Sequence, residues 1–211
     1  MTTERVVAFV DGFNLYHSLH DLRKPHLKWV DLWSLMARYA AQPHQVLAGV
    51  RYFSAFATWR PGPYARHRAY AAALEAVGVT VVMGRFKEKD RQCRKCGTAW
   101  ITHEEKETDV NVGLWMLNEA YKDTFDHAFL VSNDSDLSPV IRMLRQEFPK
   151  KRIRIITPPG RRSSKELVQA AGGMRYVRSI KESRVAAALL PASLVHPDGR
   201  TISRPTEYDP P

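Results

Sequence analysis

Two kinds of apolar run alternate along this chain. Short, nearly unbroken runs read as strands buried on both faces: RVVAFV (5–10), QVLAGVRYFSAFA (45–57), VTVVMG (79–84), HAFLVS (127–132), RIRIIT (152–157) and RYVRSI (175–180). Between them, apolar residues recur every three or four positions. In VDLWSLMARYAA (30–41), Leu32, Leu35, Met36 and Tyr39 share one helical face, with Asp31 as N-cap. PGPYARHRAYAAALEAVG (61–78) opens on a proline turn and stops on glycine, as a helix does. DGFNLYHSLH, DVNVGLWMLNEAY (109–121), LSPVIRMLRQEF (137–148) and SSKELVQAAGG (163–173) complete the helical series. Strands alternating with helices predict an α/β domain, its mainly parallel sheet covered on both sides.

Two stretches break the pattern. RFKEKDRQCRKCGTAWITHEEKET (85–108) is polar and irregular, and reads as an insertion. After about Lys181 the chain becomes Pro-rich. One domain is therefore expected over 1–181, followed by a tail (182–211) that packs on the core, exchanges with a neighbour or stays loose.

In parallel sheets ligands bind beyond the carboxyl ends of the strands, where the strand order switches. The acidic residues SNDSDL follow the fourth strand with Asp134 and Asp136; Asp11 follows the first; Asp109 opens the helix after the insertion. Each alone reads as well as a helix cap, because helix N-termini select aspartate. Four at one sheet edge, from three segments, read as a cluster that needs a cation. Oxygen-only donors suit Mg²⁺ or Mn²⁺, and one or two such ions would activate water for in-line phosphoryl displacement. Asn14 either holds Asp11 or a phosphate oxygen, or caps a helix. Ser132 reaches an aspartate, a substrate phosphate or the local backbone. Lys106 either contacts phosphate or is simply solvated.

VVAFVDGFNLYHSL, EEKETDVNVGLWML and DHAFLVSNDSDLSPVI together resemble the three acidic motifs of the NYN domain family, LabA-like proteins of the PIN-like nuclease superfamily. The resemblance spans roughly residues 5–180, in order. It implies a Rossmann-like three-layer α/β/α sandwich and a metal-dependent ribonuclease cleaving RNA, with Asp11, Asp109, Asp134 and Asp136 as metal ligands and Asn14 and Ser132 in support. Asn133 stands where that motif often has glycine. Alternatives from the same resemblance are a non-catalytic RNA-binding or regulatory protein, and a catabolic enzyme acting on a pyridine-type ring. VDGFN supplies a single glycine, not the G-x-G-x-x-G turn of a flavin or nicotinamide site.

Charge supports a polyanionic partner. The formal net charge is +10, and Lys150–Arg184 holds eleven basic residues against two acidic ones. In the insertion, Arg85 and Lys87 interleave with Phe86, with Trp100 further on, as suits single-stranded RNA; inward packing of both aromatics is the plain alternative. Arg161, Arg162 and Lys165 follow TPPG at the same expected sheet edge, within reach of a phosphate backbone.

Cys93 and Cys96 are the only cysteines, in CRKCG, the shape of half a zinc ribbon. His103 is a third candidate zinc ligand; the fourth would come from His67, His127, a carboxylate or a second chain. A homodimer pairing two such motifs would give four thiolates. No run is long enough to span a membrane, and MTTERVVAFVDGFN does not read as a secretory signal, so a cytoplasmic chain is expected.

Overall fold

A computed structural model describes residues 3–211. Seven strands form the main sheet: β1 (Glu4–Asp11), β2 (Gln45–Ala55), β3 (Thr80–Gln92), β4 (Ala99–Lys106), β5 (His127–Val131), β6 (Arg152–Thr157) and β7 (Val177–Ser179). Their order across the sheet is β4-β3-β2-β1-β5-β6-β7, parallel throughout except for the β3–β4 pair. The chain first builds outward from β1 through β2 and β3, then returns to place β5 on the other side of β1. The β1/β5 seam is therefore the switch point of the sheet.

Strand alternation makes the three layers. In β1, Val6, Ala8 and Val10 pack against α1 (Gly12–Asp21), α2 (Leu32–Ala37) and α3 (Pro61–Ala76), through Leu15, Leu35 and Leu74 among others. Val7 and Phe9 face the opposite layer, α4 (Thr108–Tyr121), α5 (Ser138–Glu147) and α6 (Lys165–Ala171), meeting Met116, Ile141 and Leu167. The α/β/α sandwich expected from the alternating runs is the fold observed. The second helix is shorter than its pattern, ending at Ala37 where the backbone turns.

The stretch 85–108 is not irregular. It is an antiparallel hairpin, in register from Arg85↔Lys106 to Gln92↔Ala99. Along β3 beyond Gly84 its period of two is written mostly in charges. The apolar Trp100 and Ile101 of β4 are adjacent instead of alternating, so no hydrophobic period of two appears. Lys89 and Arg91 pair across the hairpin with Glu104 at 3.2 and 2.7 Å. A strand at the rim of a sheet tolerates such charge, and charge there discourages unwanted pairing.

Residues beyond Lys181 are folded onto the body. α7 (Glu182–Ala186) leads to a bridge between Val30 and Leu189 and then to a small hairpin, β8 (Ser193–Val195) with β9 (Thr201–Ser203). Val185, Leu190, Ile202 and Tyr208 are buried in the same cluster as α2 and α3, and the Trp29 indole donates to the Pro191 carbonyl at 2.9 Å. Among the described residues no helix is long and apolar enough to cross a membrane.

Candidate active site

Asp11 ends β1 at the switch point and is 3% exposed. One carboxylate oxygen accepts the Asn14 amide at 3.0 Å, capping α1; the other accepts the Ser132 hydroxyl at 2.9 Å. The cap and the cluster are thus the same carboxylate. Ser132, just past β5, also accepts the Asp134 amide at 3.0 Å, and the Asn14 side-chain oxygen accepts the Asn133 amide at 3.1 Å. Asp134 caps the turn Ser135–Leu137 by accepting the Asp136 amide at 3.0 Å. These bonds tie the ends of two neighbouring strands into one framework. Gly12 permits the close fit: a Cβ there would lie 2.5 Å from the Phe53 carbonyl oxygen and 2.7 Å from the Tyr52 ring.

Asp109 lies in the first turn of α4 without serving as its cap. That role falls to Glu105 of β4, which accepts the Thr108 amide at 3.0 Å and the Thr108 hydroxyl. Between them Glu107 adopts φ 81°, a left-handed conformation that costs a residue with a Cβ and persists only where its surroundings hold it. Glu105 had no place in the sequence reading. Its signal was there: an acidic residue three positions before a helix-opening threonine.

Burial pushes the Asp11 carboxyl up to about 6, against the lowering effect of its two hydrogen bonds; Asp109 and Asp134 push it further up. Asp109 also rises to about 6, from burial first and then from Asp134, Glu105 and Asp136. Nearby cations are engaged elsewhere: Arg85 with Glu107, Lys106 with Glu104, Arg161 with Asp21. Among the described residues no basic side chain pairs with Asp11, Asp109, Asp134 or Asp136, and their all-oxygen donor set is of the kind that suits Mg²⁺ or Mn²⁺. Among the described residues no three His, Cys, Asp or Glu side chains already stand close enough together to hold an ion.

Asp11, Asp109 and Asp134, but not Asp136, line a cavity of about 760 Å³. Its other walls are aromatic and cationic. Trp59 stacks flat on His103 at 3.6 Å between ring centroids, and its edge meets Phe86 at 4.6 Å; Phe86 in turn meets Phe13. Lys28, Arg60, Arg66 and Arg161 also line the space, as does Tyr208 from the C-terminal segment. Arg66 is held by Glu207 at 2.6 Å. Burial drops His67 to about 4, so it is neutral at pH 7, with its Nε2 3.3 Å from the Tyr52 hydroxyl.

The NYN domain model matches residues 5–178. The chain belongs to the NYN domain family. That family lies within a nuclease superfamily, which supports a hydrolase-type site in this NYN domain. The chain is also 27% identical over 226 residues to 6-hydroxy-3-succinoylpyridine 3-monooxygenase HspA of Pseudomonas putida (strain DSM 28022 / S16), covering 89% of this chain and 70% of that protein. Among solved structures it resembles a protein of unknown function, VPA0982, from Vibrio parahaemolyticus RIMD 2210633. There the TM-score is 0.58 at 21% identity, over 85% of this chain and 94% of that one. The second likeness speaks for the fold alone.

Within this NYN domain, strand alternation sorts the other candidate residues. Cross-strand partners share a face, so Phe86 with Glu105 and Glu88 with His103 stand on the cavity side of the hairpin. Arg85 and Lys106, then Lys87 and Glu104, stand on the opposite face and do not line the cavity. Arg161 lines it, whereas its neighbour Arg162 is exposed outside it. His103 does not join Cys93 and Cys96. Its ring is committed to Trp59, four register positions from the hairpin end at Ala99, or roughly 14 Å along the strand. The two free cysteines sit at the hairpin tip, where hydrogen bonding with Thr98 lowers the Cys96 thiol to about 7.

Proposed function

We propose that this protein is a Mg²⁺- or Mn²⁺-dependent ribonuclease that hydrolyses single-stranded or structured RNA. One observation carries the reading: Asp11, Asp109 and Asp134 line one cavity at the sheet's switch point, near enough that Asp109 and Asp134 raise the Asp11 carboxyl, and the same cavity has aromatic and basic walls. A divalent ion held by Asp11, Asp109, Asp134 and Asp136 would neutralise these charges and polarise a phosphodiester.

The protein's own groups divide the remaining work. Ser132 and the Asn14 amide hold Asp11 in one orientation, and the Asn14 side chain holds the loop that carries Asp134. Asp109, in the first turn of α4 and without a capping duty, is free to turn towards the ion and orient a water beside it. Trp59 and Phe86 offer rings on which a base can stack, while Lys28 and Arg60, and Arg161 on exchanging Asp21 for a phosphate, offer charge. Hydrolysis in line would leave 5′-phosphate and 3′-hydroxyl ends.

The test is cleavage of end-labelled single-stranded RNA by the wild type and by Asp109→Asn, each with Mn²⁺ and with EDTA. Cleavage that needs the metal and falls at least ~100-fold in the variant supports the reading, a loss of the size expected for a directly acting group. RNA retarded on a gel by both proteins but cut by neither identifies a binding protein instead.

A second reading draws on the named monooxygenase relative and on the cavity's ring-lined walls of Tyr52, Trp59, Tyr70, Phe86 and Tyr208. About 760 Å³ lies within the roughly 300–1,000 Å³ of small-molecule sites. Hydroxylation of a pyridine ring needs O₂ and two electrons from a reduced cofactor. Oxidation of NAD(P)H that depends on a hydroxypyridine would select it, and its absence alongside RNA cleavage would dismiss it.

A further inference from the structure

We propose that Cys93 and Cys96 form half of a structural zinc site that is completed by the same two residues of a second copy, clasping two chains at their hairpin tips. This does not rest on the nuclease reading.

The tip is shaped as a metal knuckle. The Gly97 amide donates to the Cys93 carbonyl at 2.9 Å and the Cys93 amide donates to the Thr98 carbonyl at 2.8 Å, closing a tight loop around the two cysteines. Gly97 takes φ 72° at the turn, and a Cβ there would meet nothing within 4 Å; glycine answers to the conformation, not to crowding. The thiols are free and neighbour each other. A structural zinc site is closed by four ligands. This chain has no third cysteine, and His103 is stacked on Trp59 well down the hairpin. Among the described residues, no His, Asp or Glu stands with the two cysteines as a third ligand. The missing two ligands must therefore come from outside the folded chain.

Three features point to a second copy as their source. A twofold axis through the metal supplies two identical pairs and closes the shell without any other partner. β4 is the outermost strand of the sheet, with one edge unpaired, and its tip-proximal Trp100 and Ile101 are 47% and 57% exposed on opposite faces. The charges further down the strand discourage sheet-to-sheet pairing, so a second copy would approach at the tip, where it buries Trp100 and Ile101 beside the metal. Charge also fits. Four thiolates around Zn²⁺ carry a net charge of −2, which Arg94 and Lys95 of each tip would offset; without the ion, these cations keep the tips apart. The zinc and the association are then one event, because neither half-site holds the metal well alone.

The experiment uses the full chain, stripped with chelator and returned to Zn²⁺. Metal analysis is run beside sedimentation equilibrium, and Co²⁺ replaces Zn²⁺ in a parallel sample for its thiolate spectrum. The expected result is one zinc per two chains, a mass twice 24.1 kDa that reverts on chelation, and a four-thiolate Co²⁺ spectrum. The Cys93→Ser, Cys96→Ser double variant should stay monomeric and metal-free with unchanged far-UV circular dichroism, since both positions lie at the hairpin tip outside the core. One zinc per monomeric chain would overturn the proposal. So would a dimer that survives chelation and the double substitution, or a failure to retain zinc at all.

Discussion

Ser132 donates its hydroxyl to the Asp11 carboxylate at 2.9 Å, joining residues 121 positions apart in the chain at the ends of two adjacent strands. The same oxygen accepts the Asp134 amide, so one serine sets the buried carboxylate and the loop that carries the next one. Ser132→Ala leaves a buried carboxylate oxygen without its donor. Loss of about 1–3 kcal/mol of stability is expected. The Asp11 carboxyl should rise further above about 6, because one of the bonds holding it down is gone. The loss of stability should be larger at pH 8 than at pH 5, where a protonated carboxyl tolerates the missing donor better. Urea unfolding at the two pH values, with carbon-detected NMR titration of Asp11, checks all three.

The metal-free protein should become less stable as pH rises from about 4 to about 6. Asp11 and Asp109 are raised to about 6 in the folded chain, against 3.8 for a free aspartate, so over that window the folded state binds more protons than the unfolded one and loses stability as they leave. Asp109→Asn removes a repelled charge and should raise the melting temperature of the metal-free protein at pH 8 while abolishing metal-dependent cleavage. Melting the variant and the wild type in EDTA and in Mn²⁺ tests this: Mn²⁺ should stabilise the wild type more. Equal stabilisation of the two would mean that the ion binds elsewhere.

Trp59 contributes a ring to the cavity and holds the His103 and Phe86 rings beside it. Stacking of a base on an aromatic side chain is worth about 1–3 kcal/mol, so under the proposed RNA-cleaving function Trp59→Ala should raise KM for RNA by roughly tenfold or more and alter kcat little. Steady-state kinetics with a short labelled RNA separates the two parameters. A fall in kcat with KM unchanged would place Trp59 outside substrate binding.

The C-terminal segment should be part of the cooperative fold. Truncation before Glu182 uncovers Trp29, Val30 and α2, and removes the buried Val185, Leu190, Ile202 and Tyr208. At about 1.5–3 kcal/mol for each large buried side chain, a loss of several kcal/mol is expected. That corresponds to roughly 10 °C or more in melting temperature for a chain of this size. A truncated chain melting within about 2 °C of the full one would show that the segment is dispensable to the fold.

The strands and helices of the body were legible because burial on both faces writes a continuous apolar run, and a helix writes a period near 3.6. The β3–β4 hairpin was not legible. Beyond Gly84 its alternation is mostly one of charges, Trp100 and Ile101 do not alternate with polar residues, and Phe86, His103 and Glu105 share a face only once the strands are paired. For the same reason Arg85, Lys87 and Lys106, near Asp109 in sequence, stand on the side away from the cavity. Trp59, Arg66 and Tyr208 come from three segments with no common motif, and nothing local marks them as neighbours.

What the sequence determined by itself was the set of elements, the alternation that layers them, and three acidic motifs whose order identifies the family. These are local properties of side-chain type and spacing. The tertiary structure alone decided which residues meet: Asp11 with Ser132 across the β1/β5 seam, Glu105 instead of Asp109 as the cap of α4, and His103 with Trp59 instead of with the cysteines. Those outcomes depend on strand order and on a two-residue register. A shift of one position would turn every side chain of the hairpin to its other face.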